Sequence, residues 1–351
     1  MGALFTVDKN LRVKDYYNGV IKAYANKCPL QALLKRGAKP TDWAQEVEVE
    51  GNVTPAQLAA AEGGDVTSGF DSYGTMVLAH ELQKWRTPGW QVTPESELMP
   101  SHNELRGEKS VARQMRKDAE KLVVSIENAI SSEQEAVLRG TSSSTVPKTR
   151  GLMSWLSTLD TSHTTGSALH PVQTVPDALI PSAGIVGDTT DASVFSEDLF
   201  KEQLIKAALE CGDSDLTLVG LCGLKLKSLM SEWIGKATTV SGITNLVQST
   251  RDIDKKSIGF IVDEFVYDGV RVKTMVDNHL LADTTTNVCG LASQLSGAFI
   301  RPELWSIDCL QPVVNKDCVD NGGGKRGFHW AVLRLACHNP LGQMRVKYVA
   351  A

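Results

Sequence analysis

No stretch of eighteen apolar residues occurs in the 351-residue chain, so no segment is long enough to cross a bilayer as a helix. The opening MGALFTVDKNLRVKDYY is charged after seven residues and has no apolar core, and it reads as neither signal peptide nor anchor. Met1-Gly2 with Thr6 is only a short match to an N-myristoylation signature. The seven cysteines (Cys28, Cys211, Cys222, Cys289, Cys309, Cys318 and Cys337) form no CxxC pair. Neither a zinc site nor a disulfide framework is indicated, and reduced thiols are expected. The chain also lacks HExxH, GxSxG and an EF-hand loop, which removes the commonest metalloprotease, hydrolase and calcium-binding readings.

Partial matches fail on chemistry. Gly235-Lys236 resembles the end of a phosphate loop, but Ala237 follows where magnesium needs a hydroxyl, and Met230 stands where the first glycine should be. Gly322-Gly323-Gly324-Lys325-Arg326 has the amides for an anion nest, yet reads better as a hairpin turn before a strand. Asp277, His279 and Asp283 offer metal-ligand chemistry, and a metal-dependent enzyme built on them is the alternative from a different class. Asp277 and His279 alternate, as a polar pair at a strand end also would. His329 and His338 flank a strand and read as structural. No catalytic residue, cofactor or metal is expected.

What is present is one long amphipathic helix. Between Ser101 and Gly140 the apolar residues Val111, Met115, Ala119, Leu122, Ile126 and Ile130 recur at intervals of three and four, and no proline interrupts them. Ser101 or Asn103 can cap its start and Gly140 its end, which predicts a helix over 103–139. Some thirty-five residues would span roughly 50 Å, too long for one small core to bury. Arg106, Lys109, Arg113, Arg116, Lys117 and Lys121 crowd its first half and Glu127, Glu133 and Glu135 its second, the reverse of what the helix dipole favours. A partner surface would offset that order, as a solvated face would tolerate it.

The net charge of −5 hides a second asymmetry. Residues 1–40 carry Lys9, Arg12, Lys14, Lys22, Lys27, Lys35, Arg36 and Lys39 against Asp8 and Asp15. Residues 41–66 carry Asp42, Glu46, Glu48, Glu50, Glu62 and Asp65 with no base. Complementary blocks suit head-to-tail contact between identical subunits, one chain's arm on the next chain's acidic segment. A polyanion such as DNA would also attract the arm, although the overall acidity argues against a dedicated nucleic-acid binder.

Leu11–Ala25 and Pro29–Leu34 suit short helices in an otherwise extended arm. TMVLAHELQKW and Trp90–Thr93 alternate on either side of Thr87-Pro88-Gly89, which predicts a hairpin with Trp85 and Trp90 on its legs, packed inward or docked on a neighbour. A polar connector follows the long helix, then a short apolar run at Leu152–Leu159 and a Thr/Ser/Pro/Gly-rich tract holding His163 and His170. SEDLFKEQLIKAALECG is a capped helix from Ser196 to Gly212, with Leu199, Leu204 and Leu209 expected inside. Leu216–Leu221 reads as a strand and Lys225–Ile234 as a helix. Ile258–Val266 and Val270–Val276 read as strands joined at Tyr267-Asp268-Gly269. Further strands are expected at Phe299–Leu304, Phe328–Ala336 and Met344–Val349. The fold class is α+β, with the final strands finding a sheet outside the central part.

This order of basic arm, loop hairpin, long helix, α+β unit and returning strands resembles the major capsid protein of tailed bacteriophages, the Hong Kong-type fold shared with encapsulin shells. It is similar to a subgroup with a helix ending near Glu135, Leu138 and Gly140 before Arg150, Gly151, Leu152, Trp155 and Leu156. The helix SEDLFKEQLIKAALECG, the strand LTLVG, the FVYDGVRVKTMVDNH hairpin and the tail residues Leu304, Lys325-Arg326-Gly327, Ala336, Asn339, Pro340 and Gly342 fit the same pattern. Two departures stand out. Leu333 and Arg334 occupy the penultimate strand where the subgroup carries a glutamate, and the hairpin before the helix matches poorly.

The resemblance implies an N-terminal arm over 1–45, an extended loop over 46–100, a peripheral domain from 101–165 and 300–351, and an axial domain over 166–299. It implies a virion shell protein assembling with itself into hexamers and pentamers around double-stranded DNA bound non-specifically, put together in the host cytoplasm. Portal protein, a separate scaffolding protein (expected if the mature chain keeps Met1) and a cement or decoration protein are the implied partners, with no membrane. Lys9, Arg12, Lys14, Glu46, Glu48, Glu50, Trp85, Trp90, Arg113, Arg116 and Lys117 are the candidate subunit-interface residues. An encapsulin-like compartment is the same-fold alternative, and a minor tail or decoration protein a further one.

Overall fold

The computed structural model describes residues 28–50, 75–98, 110–137, 139, 146–157, 179–186, 195–212, 215–235, 238–240, 243–245, 264–267, 269–280, 294–319 and 323–347. In chain order these hold α1 (Pro29–Leu33), β1 (Lys35–Arg36), β2 (Ala44–Glu50), β3 (Thr75–Glu81), β4 (Gln83–Arg86), β5 (Trp90–Val92), α2 (Pro94–Leu98) and α3 (Ser110–Ser131). There follow α4 (Leu152–Trp155), β6 (Gly184–Val186), α5 (Glu197–Cys211), β7 (Thr217–Cys222), α6 (Leu224–Gly235), β8 (Thr238–Val240) and β9 (Ile243–Asn245). The chain closes with β10 (Glu264–Tyr267), β11 (Val270–Val276), β12 (Gly297–Ile300), a 3₁₀ turn at Pro302–Leu304, β13 (Trp305–Asp317), β14 (Lys325–Cys337) and β15 (Met344–Lys347).

Two sheets organise them. In the first, β1, β13, β14 and β4 lie side by side, and β5 pairs with β14 beyond β4. Helix α3 lies against this sheet, and Leu122, Ile126 and Ile130 join Trp305, Ile307, Leu333 and Leu335 in one core. The apolar stripe predicted from spacing is therefore the buried one. The helix is shorter than expected, 22 residues or about 33 Å. Its end moves from 139 to Ser131 because the following backbone finds other partners. The Ser132 hydroxyl donates to Ala129 O (2.9 Å), and Gln134 N–H donates to Ser132 Oγ (3.1 Å). The Gln134 amide donates to Gln83 Oε1 (2.8 Å) and Thr149 O (2.7 Å), and Val137 pairs with Lys148. Residues 103–109, the expected helix start, and the expected cap Gly140 lie outside the described residues.

In the second sheet the order is β10-β11-β7-β12-β15-β6. Helices α5 and α6 pack on one face, where Phe200, Leu204, Ala207, Leu226 and Met230 meet Leu218, Val272, Phe299 and Met344. The other face contributes Leu221, Ala298 and Ile300 to the core beneath α3, so alternate residues of the same strands bind the two units together. Ser196 Oγ accepts from Leu199 N–H (3.2 Å) and α5 stops at Gly212, as its sequence predicts. Leu209, however, is 76% exposed. Leucines five residues apart advance about 140° around a helix, and the buried stripe is Phe200, Gln203, Leu204 and Ala207 instead.

Three other expectations change. Thr87-Pro88-Gly89 is not a hairpin turn: β4 and β5 both run antiparallel to β14, at Gln83↔Leu333 to Arg86↔Trp330 and at Trp90↔Gly327 to Val92↔Lys325. The Pro-Gly step, with Gly89 at φ 112°, is an interruption in one edge strand. The hairpin is formed by β2 and β3, paired from Ala44↔Glu81 to Glu50↔Thr75. Strand β13 is longer than the sequence signalled, because Pro312 punctuates it. The ladder shifts register between Cys309, Gln311 and Val314, which places the proline in an irregular stretch where its missing N–H is tolerated. Finally, β15 lies in the second sheet between β12 and β6, so the grouping of all of 300–351 with the long helix holds for β13 and β14 and not for the last strand.

Gly151 makes the tightest approach at the end of α3. A Cβ there would lie 2.2 Å from Ser132 O and 3.0 Å from Ala129 O, both backbone atoms. Gly151→Ala should therefore destabilise the unassembled chain by about 1–3 kcal/mol. A lowered urea midpoint at unchanged slope is the expected readout, and an unchanged midpoint would contradict the packing described.

Candidate functional site

The long helix is fixed from both sides by carboxylates that the sequence reading passed over. On its sheet-facing side Asp118 Oδ2 accepts from the Thr87 hydroxyl (2.5 Å) and from His329 N–H (3.3 Å), and meets His329 Nδ1 at 2.8 Å. Asp118 and His329 are both buried. This cluster ties α3 to β14 and to the break between β4 and β5. One signal was available: Asp118 sits on the apolar stripe between Met115 and Leu122, where an acid requires a partner. His329 is structural, as expected.

On the outer side Glu127 holds the arm. Its Oε1 accepts from Leu30 N–H (2.7 Å) and its Oε2 from Gln31 N–H (3.2 Å), while the Gln31 amide donates to Val123 O (3.0 Å). Cys28, preceding α1, supplies no side-chain cap, and the distant carboxylate takes that role. Beside it Asp277 Oδ1 accepts from His279 N–H (2.8 Å), and His279 Nδ1 contacts Asn128 Oδ1. Asp277 and His279 thus form a buried structural pair that helps hold α3. Among the described residues no group of three or more His, Cys, Asp or Glu is placed to hold a metal, and Asp283 lies outside them. Gly235 closes helix α6 and does not open a helix as a phosphate loop requires; Lys236 is outside the described residues. The six described cysteines are all unpaired thiols.

The interface candidates separate into three groups. Lys9, Arg12 and Lys14 lie outside the described residues. Trp85 and Trp90 correct the expectation of a contact with a neighbour: both are buried within the subunit, Trp85 in the main core and Trp90 with its Nε1–H donating to Asn315 Oδ1 (3.0 Å). Their rings are large enough that β14 and β13 claim them first. Glu46, Glu48 and Glu50 are exposed along β2, and Arg116 and Lys117 are exposed on α3, with Arg113 half-buried beside them. On β2 the alternate residues Val47 and Val49 face the core with Met76, so the acids occupy the outer face of the hairpin.

The solved structures that share this architecture are shells of tailed-phage type. The cyanophage A-1(L) capsid asymmetric unit superposes with a TM-score of 0.63 at 12% identity, covering 98% of each chain. The capsid of cyanophage P-SCSP1u gives 0.56 at 10% identity over 98% of this chain and 94% of that one. The capsid of Myoviridae phage XM1 gives 0.53 at 10% identity over 99% of each. At such identities the likeness establishes the fold: a Hong Kong-type capsid subunit, α+β as expected. The sequence profile of the SU10 major capsid protein family matches residues 3–349, and the chain belongs to that family. It is a bacteriophage head-shell protein, a structural component of the virion. No curated protein is significantly similar to it in sequence.

Glu127 makes the arm attachment sensitive to pH. Burial, and then the charge of Asp277, push its carboxyl up from an ordinary 4.5 to about 7, against the pull of the amides of Leu30 and Gln31. The folded chain holds this proton more tightly than the unfolded chain. The group therefore contributes stability that is full below about pH 4.5 and is lost as pH rises through about 7. Glu127→Gln keeps an acceptor and does not titrate. Relative to that variant, the wild type should lose on the order of 3 kcal/mol of unfolding free energy between these limits. Denaturant titrations at several pH values check this, and a difference independent of pH would contradict it.

Proposed function

We propose that the chain assembles with itself into hexamers and pentamers that close an icosahedral head around double-stranded DNA held without sequence preference. The observation that carries this reading is the end-to-end correspondence with capsid subunits, 98% of both chains for the cyanophage A-1(L) shell. Within such a subunit, the first sheet with α3 is the peripheral domain. The second sheet with α5 and α6, to which β15 returns, is the axial domain. The β2–β3 hairpin is the extended loop, and residues up to about 45 form the arm, anchored at α1 by Glu127. Obligate contacts of an arm and loop with neighbours bury thousands of Å² in all, which makes a shell resistant to dissociation.

The role is architectural and not catalytic. Assembly takes place in the host cytoplasm, with a portal protein at one vertex, a separate scaffolding protein, and a cement or decoration protein as a further partner. Negative-stain electron microscopy of the purified recombinant chain, alone and with the products of neighbouring genes, tests the proposal. Closed shells or capsomer rings are expected. A uniform monomer under both conditions would overturn it.

A further inference from the structure

The β2–β3 hairpin has two faces of opposite character. Val47 and Val49 pack on the core with Met76, and Leu78 is buried opposite Val47. On the other face Glu46, Glu48 and Glu50 stand in a row, and the residues opposite them on β3 are Ala79, Val77 and Thr75, none of them basic. Val77 is 38% exposed between them. Among the described residues none of the three glutamates has an ion-pair partner. Residues two apart on an antiparallel strand are about 6.8 Å apart, so the ladder is about 14 Å long.

A matching row exists elsewhere on the same chain. The outer face of α3 is covered over its second half by α1, through Gln31 on Val123 and Leu30 on Glu127. Over its first half Arg113, Lys117 and Lys121 succeed one another at intervals of four, half-buried, exposed and exposed, and none is ion-paired among the described residues. Residues four apart on a helix rise about 6 Å, so this row is about 12 Å long. Three acids and three bases therefore repeat at nearly equal steps, and the mismatch of about 2 Å over the whole length lies within the reach of lysine and glutamate side chains.

Resting on the shell reading above, we propose that the Glu46/Glu48/Glu50 ladder of one subunit docks along the Arg113/Lys117/Lys121 row of a second copy. The occupant of the acidic face is thus another copy's long helix. The same contact accounts for the basic first half of α3, which opposes its own helix dipole and is left uncovered by its own chain. Strand and helix meeting rung to rung fix register as well as attraction, which is where complementary charge acts most strongly.

The test uses the full chain in two reversed forms, E46K/E48K/E50K and K117E/K121E, with circular dichroism to establish that each is folded and sedimentation with electron microscopy to count shells. Each form alone should yield shells at least about tenfold less often than wild type, and an equimolar mixture should restore most of the yield. In the mixture the reversed ladder of one chain meets the reversed row of the other, a rescue that a contact within one chain does not allow. If a reversed form is misfolded, the single substitutions E48K and K117E carry the same comparison. Normal assembly of either folded form alone, or a mixture of folded forms that fails to recover, would overturn the proposal. So would a K117E/K121E chain that closes shells normally but retains less DNA, since the row would then face nucleic acid. A wild-type chain that never assembles would instead remove the shell reading itself.

Discussion

The buried carboxylate of Asp118 is the contact on which the rest of the subunit depends. It receives the Thr87 hydroxyl and His329, and so fixes one helix against two segments of one sheet at a single point. Taking a carboxylate out of water is expensive, and removing a partner from such a cluster typically costs several kcal/mol. Register follows from it. With α3 seated at Asp118, Leu122, Ile126 and Ile130 fall over β13 and β14, and Glu127 is turned outward to receive the arm. At the far end Glu133 accepts from Arg345 (2.7 Å) and pairs with Lys347 (2.7 Å), which brings the last strand of the second sheet to the end of the same helix.

Those contacts divide the chain into parts that are internally committed and parts that are not. Both sheets, α3 and α5 bury their apolar faces within the subunit, and even the two tryptophans near the hairpin are consumed there. A buried Asp308–Arg334 ion pair (2.9 Å) lies between β13 and β14, where the related capsid subgroup was expected to carry a glutamate in the second of these strands. What remains for neighbours is the charged outer face of the hairpin and the uncovered half of the long helix. A shell subunit needs this combination: rigid where it carries load, and unfinished where it meets its copies.

Much of this was legible because it is local. Ser196 and Gly212 bracket α5 by cap chemistry, and Tyr267 to Gly269 turn β10 into β11 within a few residues. The period of the long helix also identified its buried face. Other features hinge on partners far along the chain. Glu127 caps a helix 97 residues earlier, and Trp90 finds Asn315 at a separation of 225. Pro88-Gly89 has the chemistry of a turn, and only the length of β14 makes it a break in a strand instead. Pro312 hid β13 because an irregularity in the ladder absorbs it. The basic and acidic blocks were visible as composition, but that three glutamates share one face of a hairpin follows only from its pairing with β3.

The most direct test of this account is a cryo-EM reconstruction of the assembled shell at a resolution that traces side chains. The account predicts that each subunit keeps Asp118 on its own His329 and Thr87 while the outer face of its β2–β3 hairpin is covered by a neighbouring subunit. A shell in which that acidic face looks into solvent at every position, or in which α3 has left its own β14, would contradict it.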